Sequence, residues 1–250
     1  MAMAWPTHAT PAQIAELCGR DGMEVPPAIA LAAGMGRPSA TPREGPPPTA
    51  AQAMAEAGVP PVVLDAVGEM ARPVPEAVRL WLDELASSRP PWLWLSGGTG
   101  AGKSCDAAWA LGQAVSRGLV ARGRWAKVEG LAERWDGANL YGQGGKAAAV
   151  RDEREAPLLV LDGLGEEPPC RGALDAAWAV LSWRHDRMLP TVLTSQLSGA
   201  AYRDRLSRYD RAKAAALFSR IMGGLSGYRG NRHRIAGHVV ELADGDGRAG

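Results

Sequence analysis

The sequence predicts an α/β fold in which a parallel β-sheet is covered by helices on both faces. From residue 50 onward, short apolar runs bounded by turn residues alternate with longer stretches of helical periodicity, as in successive β-α-β units. The 250 residues are 46% hydrophobic and 22% charged. This composition suffices for one sizeable domain with an appendage.

Each element is assigned from its periodicity and its flanking turn residues. In the second helix, Val78, Trp81, Leu82 and Leu85 share one face. In a later helix the inner face carries Leu174, Ala177, Trp178 and Leu181. We expect core positions for Trp81, Trp94, Trp109, Trp178 and Trp183. The predicted order is helix TAAQAMAEAG, helix VPEAVRLWLDELAS, strand PPWLWLS, helix CDAAWALGQAVSRG, strand RWAKVEG, short helix LAERWDGANL, strand APLLVLDGLG, helix GALDAAWAVLSWRHDR, strand PTVLTS, helix RAKAAALFSRIMGG and strand RIAGHVVEL.

Residues 1–48 differ from the rest of the chain in being dense in Pro, Gly and Ala. Such composition packs poorly, although TPAQIAELCGR is able to form one short helix with Thr10 as its N-cap. We therefore expect a flexible or small helical N-terminal arm, either a tail or a partner-binding element. Residues 49–250 form the main predicted domain.

Bulk properties exclude several classes of protein. The formal net charge is +1, so any basic surface must be local. The cysteines Cys18, Cys105 and Cys170 form no CxxC pair, which argues against a zinc site or a disulfide framework and suits a reducing interior. No signal peptide or membrane-spanning apolar run is visible. We expect a soluble cytoplasmic protein with no membrane partner.

The strongest motif is GGTGAGKS, residues 97–104, which lies between a predicted strand and a predicted helix and matches GxxxxGK[ST]. Glycines let the backbone wrap around an anion, and the helix N-terminus adds unpaired N–H groups. Lys103 would reach the β- and γ-phosphates, and the Ser104 hydroxyl would ligate Mg²⁺. We expect this loop to bind ATP through Gly97, Gly98, Thr99, Gly100, Ala101, Gly102, Lys103, Ser104 and Cys105.

A second motif predicts a carboxylate ligand for the Mg²⁺ ion. The run LLVLD places Asp162 at the carboxyl end of a buried strand, about 60 residues after the loop. That end of a parallel strand lies at the ligand-binding edge of the sheet. An aspartate that only caps the following turn is the alternative.

Several stretches together resemble the AAA+ ATPases of the DnaC/IstB type, which are helicase loaders and transposition ATPases. They run from about residue 57 to 234 and are AGVPPVVLDAV, LWLSGGTGAGKS, LLVLDGLGEE, LPTVLTSQLS and LFSRI followed by LSGYRGNR. The resemblance implies a P-loop NTPase fold with a five-stranded parallel sheet, ATP at its edge, and Mg²⁺ held by Ser104 and by Asp162, directly or through water.

The same resemblance implies roles for further side chains. Gln196 takes the sensor position that probes the γ-phosphate. Arg220 matches an arginine finger that acts on a neighbouring subunit and so implies a homo-oligomer, with an exposed helical arginine as the alternative. Arg229 is an additional candidate for a sensor or interface residue.

Two departures from the family pattern put rapid hydrolysis in doubt. In the family an acid usually follows the strand-end aspartate, called the Walker B aspartate and matched here by Asp162. Gly163 replaces that acid, and Gln196 replaces the usual sensor Asn. Glu167 matches a later glutamate of the family, and either Glu166 or Glu167 is able to substitute for the missing acid, or both are solvated turn residues.

Two basic stretches are candidates for single-stranded DNA binding. RDRLSRYDRAK, residues 203–213, is rich in cations, but a solvated helix face or a subunit interface is the favoured interpretation. NLYGQGGKAAAVRDER carries Tyr141, Lys146, Arg151 and Arg154 in a glycine-rich setting. Isolated histidines such as His185 and His233 are assigned no metal.

These observations predict an ATPase that loads a replicative helicase under the control of ATP. A transposition helper of the IstB type and a nucleotide-binding adaptor with little turnover are the alternatives within the same fold. A small-molecule P-loop kinase is disfavoured because no arginine-bearing lid insertion is visible.

Overall fold

The computed structural model describes residues 46–87, 90–141, 145–167, 170–227 and 239–242, except that the side chains of 139–141 are not described. Nearly all of the predicted N-terminal arm therefore lies outside the described residues. In chain order the helices are α1 (Ala50–Glu56), α2 (Pro61–Gly68), α3 (Glu76–Glu84), α4 (Lys103–Ser116), α5 (Val128–Tyr141), α6 (Gly145–Ala149), α7 (Arg151–Glu155), α8 (Arg171–Asp186), α9 (Gly199–Ser207) and α10 (Arg211–Leu225). The strands are β1 (Leu93–Ser96), β2 (Gly123–Lys127), β3 (Leu158–Leu164), β4 (Thr191–Ser195) and β5 (Val239–Glu241).

The five strands form one sheet in the order β2-β3-β4-β1-β5, and every pair of neighbours is parallel. The predicted parallel α/β architecture is confirmed. Successive side chains of a strand point to opposite faces, and β3 illustrates the result. Leu158 and Val160 pack with α1, α3 and α4, whereas Leu159 and Leu161 pack with α8 and α10 on the other face.

Local capping explains where several helices begin. The Thr49 side chain accepts from the backbone N–H of Gln52, and the Gln52 side chain reaches back to Thr49, so α1 starts with a capping box. Proline at position 61 opens α2, where a missing N–H costs nothing. Asp210 accepts from the Lys213 N–H and starts α10.

The structure adds detail that the periodicity missed. Helix α2 was not assigned, α5 is longer than the predicted LAERWDGANL, and the cationic stretch 203–213 spans parts of two helices, α9 and α10. Among the tryptophans, Trp81 and Trp94 are buried as expected. Trp183 instead is half-buried, and the Cζ atoms of Arg154 and Arg187 lie 4.5 and 3.2 Å from its ring centroid. Among the described residues, no helix is both long and apolar enough to traverse a membrane.

Candidate nucleotide site

The strand order brings the carboxyl ends of β1, β3 and β4 together at one edge of the sheet. Ser96 at the end of β1 is in register with Ser195 at the end of β4, and Ser195 is in register with Leu164 of β3. The chain therefore leaves all three strands at the same level, with β4 in the middle. Residues that immediately follow these strands are the ones that can meet at a common site.

The loop after β1 has the backbone that its glycines predict. Gly97, Gly100 and Gly102 have φ values of 147°, 80° and 86°, which disfavour side chains. The Lys103 ammonium donates to the carbonyl oxygens of Gly97 (2.9 Å) and Gly98 (2.7 Å). The loop therefore folds around the ammonium group of Lys103, the residue at which α4 begins.

Ser104 and Asp162 are in direct contact. The Ser104 hydroxyl donates to Asp162 Oδ1 over 2.9 Å, and the Thr194 hydroxyl donates to the same oxygen over 2.6 Å. Because the Ser104 proton points at the carboxylate, the lone pairs of its oxygen remain available to a cation. A hydroxyl beside a carboxylate is an oxygen donor set of the kind that Mg²⁺ prefers, so these residues fit the ion that the sequence predicts.

Gly163 occupies a β-bulge. The register between β3 and β4 shifts between Leu161 and Leu164, so that β3 contains one residue more than β4. Gly163 has φ 83°, and its N–H donates to the Thr194 hydroxyl over 2.9 Å. A Cβ atom at this position would come within 2.9 Å of Glu166 Oε2. A residue other than glycine at position 163 would be held at a φ that L-residues rarely adopt.

Gln196 bridges the loop and the turn that follows β3. Its amide nitrogen donates to Glu166 Oε1 over 2.9 Å, and its amide oxygen lies 3.4 Å from the Thr99 hydroxyl. The Glu166 side chain belongs to an exposed residue. The candidate sensor therefore contacts Glu166, one of the two glutamates that the sequence offers as a substitute for the missing acid.

Glu167 points into the protein instead. Only 3% of its surface is exposed, and its carboxylate accepts from the Gly165 N–H over 2.6 Å. Burial raises the pKa of the Glu167 carboxyl above its usual value, although hydrogen bonds from backbone N–H groups and the charge of Arg205 act in the opposite direction. Arg205 also donates to the Glu167 carbonyl over 2.9 Å. These contacts are those of a group that holds the turn in shape.

Comparisons with known proteins place this geometry in a structural class. No protein-family model matches the sequence, and no curated protein matches it. Among solved structures, domain III of the replication initiation protein DnaA from Thermotoga maritima aligns with a TM-score of 0.53 at 16% identity, over 74% of this chain and 68% of that one. AMPPCP-bound DnaA from Aquifex aeolicus aligns with a TM-score of 0.52 at 17% identity, over 74% of this chain and 51% of that one.

The chain has an AAA+ type P-loop NTPase fold. The resemblance to AAA+ proteins seen in the sequence is thereby confirmed at the level of the fold. A structure of the DnaC helicase loader also aligns, with a TM-score of 0.47 at 20% identity, over 74% of this chain and 99% of that one. The match spans only about half, 51%, of the Aquifex DnaA chain.

The structure places Arg220 away from the loop. Its guanidinium lies 3.1 Å from Asp186 Oδ1 and 3.4 Å from His185 Nδ1, and its Cζ is 5.4 Å from the centre of the Trp178 ring. Asp186 ends α8, shortly before β4 begins at Thr191. Arg220 thus lies beside the amino ends of the strands, about 15 Å, or one strand length, from the edge that carries Asp162. The other arginine predicted from the resemblance, Arg229, lies outside the described residues.

Most cations of the stretch 203–213 already have partners within the domain. Arg203 pairs with Asp204 at 2.8 Å, Lys213 pairs with Asp175, and Arg205 donates to Glu167. Such pairs within the domain are compatible with the favoured prediction, which was a solvated helix face or a subunit interface. In the other candidate stretch, the Lys146 ammonium lies 5.0 Å from the centre of the Trp135 ring, and Arg151 is exposed. The side chain of Tyr141 is not described.

A second charged pair lies beside the loop and was not predicted from the sequence. Arg72, between α2 and α3, places Nη2 2.8 Å from Asp106 Oδ2 and 3.3 Å from the Gly102 carbonyl oxygen. Asp106 lies in the first turn of α4 and is completely buried. The one sequence signal for this pair is an acidic residue, Asp106, two positions after the GKS triplet.

Proposed function

We propose that this chain is an ATP-binding AAA+ protein that acts in the cytoplasm as a loader of a replicative DNA helicase. The single observation that carries the nucleotide part is the contact of Ser104 with Asp162 beneath the GGTGAGKS loop. The helicase part is supported by the sequence phrases shared with DnaC/IstB-type proteins. Among proteins of the same fold, DnaA has been solved with AMPPCP and single-stranded DNA, which supports nucleotide and DNA as ligand classes.

In the proposed complex, the loop N–H groups and Lys103 bind the phosphate chain of ATP. Mg²⁺, held by Ser104 and, directly or through water, by Asp162, supplies charge compensation for the β- and γ-phosphates. Thr194 fixes the Asp162 carboxylate through the 2.6 Å hydrogen bond to Oδ1. Gln196 faces the terminal phosphate and orients Glu166 toward the position of an attacking water.

Hydrolysis is expected to be slow. The general base is carried by an exposed turn residue, Glu166, because the bulge at Gly163 leaves no acid on the strand itself. Arg220 completes the site of the neighbouring subunit, where its guanidinium offsets the charge that builds up on the transferred phosphate. In its own subunit Arg220 is paired with Asp186. Assembly would replace this carboxylate by the phosphate of the ATP bound to the neighbouring subunit.

The arm at residues 1–48 is proposed to bind the helicase. The stretch with Tyr141, Lys146 and Arg151 is proposed to contact single-stranded DNA, since an exposed arginine and a lysine beside an aromatic ring suit an unpaired strand. An adaptor with very little turnover is a second candidate, favoured by the glycine at position 163. A transposition helper would share the nucleotide site and differ in its partner.

The test is co-precipitation with a hexameric replicative helicase, with ATP, with ADP and without nucleotide. Lys103→Ala should weaken ATP binding by roughly 10- to 150-fold, because a charge-assisted contact contributes about 1.5–3 kcal/mol, and should abolish any ATP-dependent change in helicase binding. Arg208→Ala removes an exposed cation from the same domain and serves as the matched control. Helicase binding in no nucleotide state, together with ATP-dependent binding to a transposase or duplex DNA, would instead assign the transposition role.

A further inference from the structure

Arg72 lies against the loop at a distance that only glycine permits. A Cβ atom on Gly102 would fall 2.1 Å from Arg72 Nη2 and about 3 Å from the rest of the guanidinium, at 3.0 Å from Cζ and 3.1 Å from Nε. The guanidinium therefore packs on the backbone of the residue that opens α4. A side chain at position 102 would be disfavoured by the φ of 86° and would displace the Arg72 guanidinium from its place.

The position of Arg72 is set by a buried carboxylate. Asp106 has no exposed surface, and its Oδ2 accepts from Arg72 over 2.8 Å. Burial raises the pKa of the Asp106 carboxyl, and Arg72 lowers it. Arg72 itself keeps 39% of its side-chain surface exposed. A buried charge that fixes a half-exposed cation is a poor stabilising device, because desolvation offsets most of the attraction, but it holds the cation in one place.

Arg72 and Ser104 lie on opposite sides of the start of α4. Gly102 and Asp106 are four residues apart and share one side of the helix, whereas residue 104 is turned by about 200° from 102 at about 100° per residue. Ser104 faces Asp162, at the end where the metal and the terminal phosphate are expected. A phosphate chain that lies across the helix N-terminus then directs its other end, with the α-phosphate and the ribose, toward Arg72.

We propose that Arg72, fixed by Asp106, contacts the α-phosphate and ribose of the bound nucleotide and is a positioning residue for both ATP and ADP. This inference rests on the proposed nucleotide-binding function. It separates two roles within the site. Gln196 and Glu166 respond to the presence of the γ-phosphate, whereas Arg72 retains the nucleotide whether or not that phosphate is present.

The experiment compares Arg72→Ala with wild type by titration of fluorescent ADP and ATP analogues and by competition with inorganic pyrophosphate, which occupies only the part of the loop around Lys103. Arg72→Ala should weaken ADP and ATP binding by the same factor, roughly tenfold or more for the loss of a charge-assisted contact. Pyrophosphate affinity should stay within about twofold of the wild-type value. Asp106→Asn should show the same pattern with a smaller loss.

Arg79→Ala is the matched control, because Arg79 lies in the adjoining helix α3 and its guanidinium contacts only the Val74 carbonyl in the hydrogen bonds described, at 2.7 and 3.2 Å. An unchanged ADP affinity in Arg72→Ala would overturn the inference. So would an equal loss of pyrophosphate and ADP affinity, since that result would make Arg72 a support of the loop rather than a ligand contact. Wild-type protein that binds none of these ligands would overturn the proposed function as well, which separates the two failures.

Discussion

The side-chain amide of Gln196 donates a 2.9 Å hydrogen bond to the carboxylate of Glu166. Gln196 follows β4 and Glu166 follows β3, so the bond joins the turns after two neighbouring strands. The longer side chain that replaces the usual Asn thereby reaches an acid that stands three residues beyond Gly163. This pair is the basis of the proposed hydrolytic centre.

Glu166→Gln should lower ATP turnover by on the order of 10²-fold or more, the typical contribution of a general base, while ATP affinity remains within about twofold. The amide oxygen of the new side chain can still accept from Gln196, so the geometry is preserved. Glu167→Gln is the matched variant, and its turnover should stay within about threefold of wild type. Phosphate release at saturating ATP measures both. A larger loss in Glu167→Gln than in Glu166→Gln would transfer the role to Glu167.

Arg220→Ala should leave ATP binding by dilute protein unchanged and lower turnover in the assembled state by roughly 10³-fold, the lower end of the range for an arginine finger. Mixing provides the decisive control. Lys103→Ala subunits bind ATP only weakly but still offer Arg220, so adding them to Arg220→Ala subunits should restore part of the activity. If turnover per subunit is independent of protein concentration and no restoration occurs, Arg220 does not act on a neighbouring site.

Gly163→Ala should destabilise the fold by about 1–3 kcal/mol, because a non-glycine residue would be held at φ 83°. Gly163→Glu should do so at least as strongly and should fail to raise turnover, since it would be held at the same φ and its Cβ would displace the flexible end of the Glu166 side chain. Urea unfolding measures the loss of stability, and phosphate release measures the turnover. Gly118→Ala, also at positive φ (69°) but with no atom within 4 Å of the added Cβ, separates backbone strain from the contact. A faster Gly163→Glu variant would contradict the role assigned to the bulge.

The raised pKa of Glu167 predicts a pH dependence of stability. A carboxyl whose pKa is higher in the folded than in the unfolded chain contributes stability that is fully present below the unfolded value, near 4.5, and is lost as the pH rises through the folded value. The groups that face it are Arg205, Glu166 and the buried Tyr202. Relative to Glu167→Gln, the melting temperature of wild type should therefore fall as the pH rises from about 4.5 toward neutrality. A constant difference would mean that Glu167 has an ordinary pKa.

Much of the fold could be predicted from the sequence because buried parallel strands and amphipathic helices leave periodic patterns. The five strands and the residues of the loop follow from those patterns. Helix α2 begins at Pro61, directly after Pro60, and two adjacent prolines do not suggest a helix. Helices α6 and α7 have five residues each, which is too short for a helical periodicity to be recognised. The extent of such elements is set by tertiary packing.

The candidate site could be predicted only where its residues belong to one local motif or to the end of a strand. Ser104 and Asp162 belong to that class. The choice between Glu166 and Glu167 depends on a one-residue bulge, which reverses the direction in which neighbouring side chains point. Arg72 and Asp106 are 34 residues apart, and no local pattern links a residue between two helices to one inside a third.

Asp162 lies at the carboxyl ends of the strands and Arg220 lies beside their amino ends, and this separation limits the ways in which two subunits can use both residues. An antiparallel two-fold dimer would form two such contacts reciprocally, whereas a head-to-tail interface would be heterologous. In the head-to-tail case, successive subunits are related by a rotation that either closes a circle or climbs along a filament. In an open filament, one terminal subunit receives no finger, and the number of complete sites is one fewer than the number of chains.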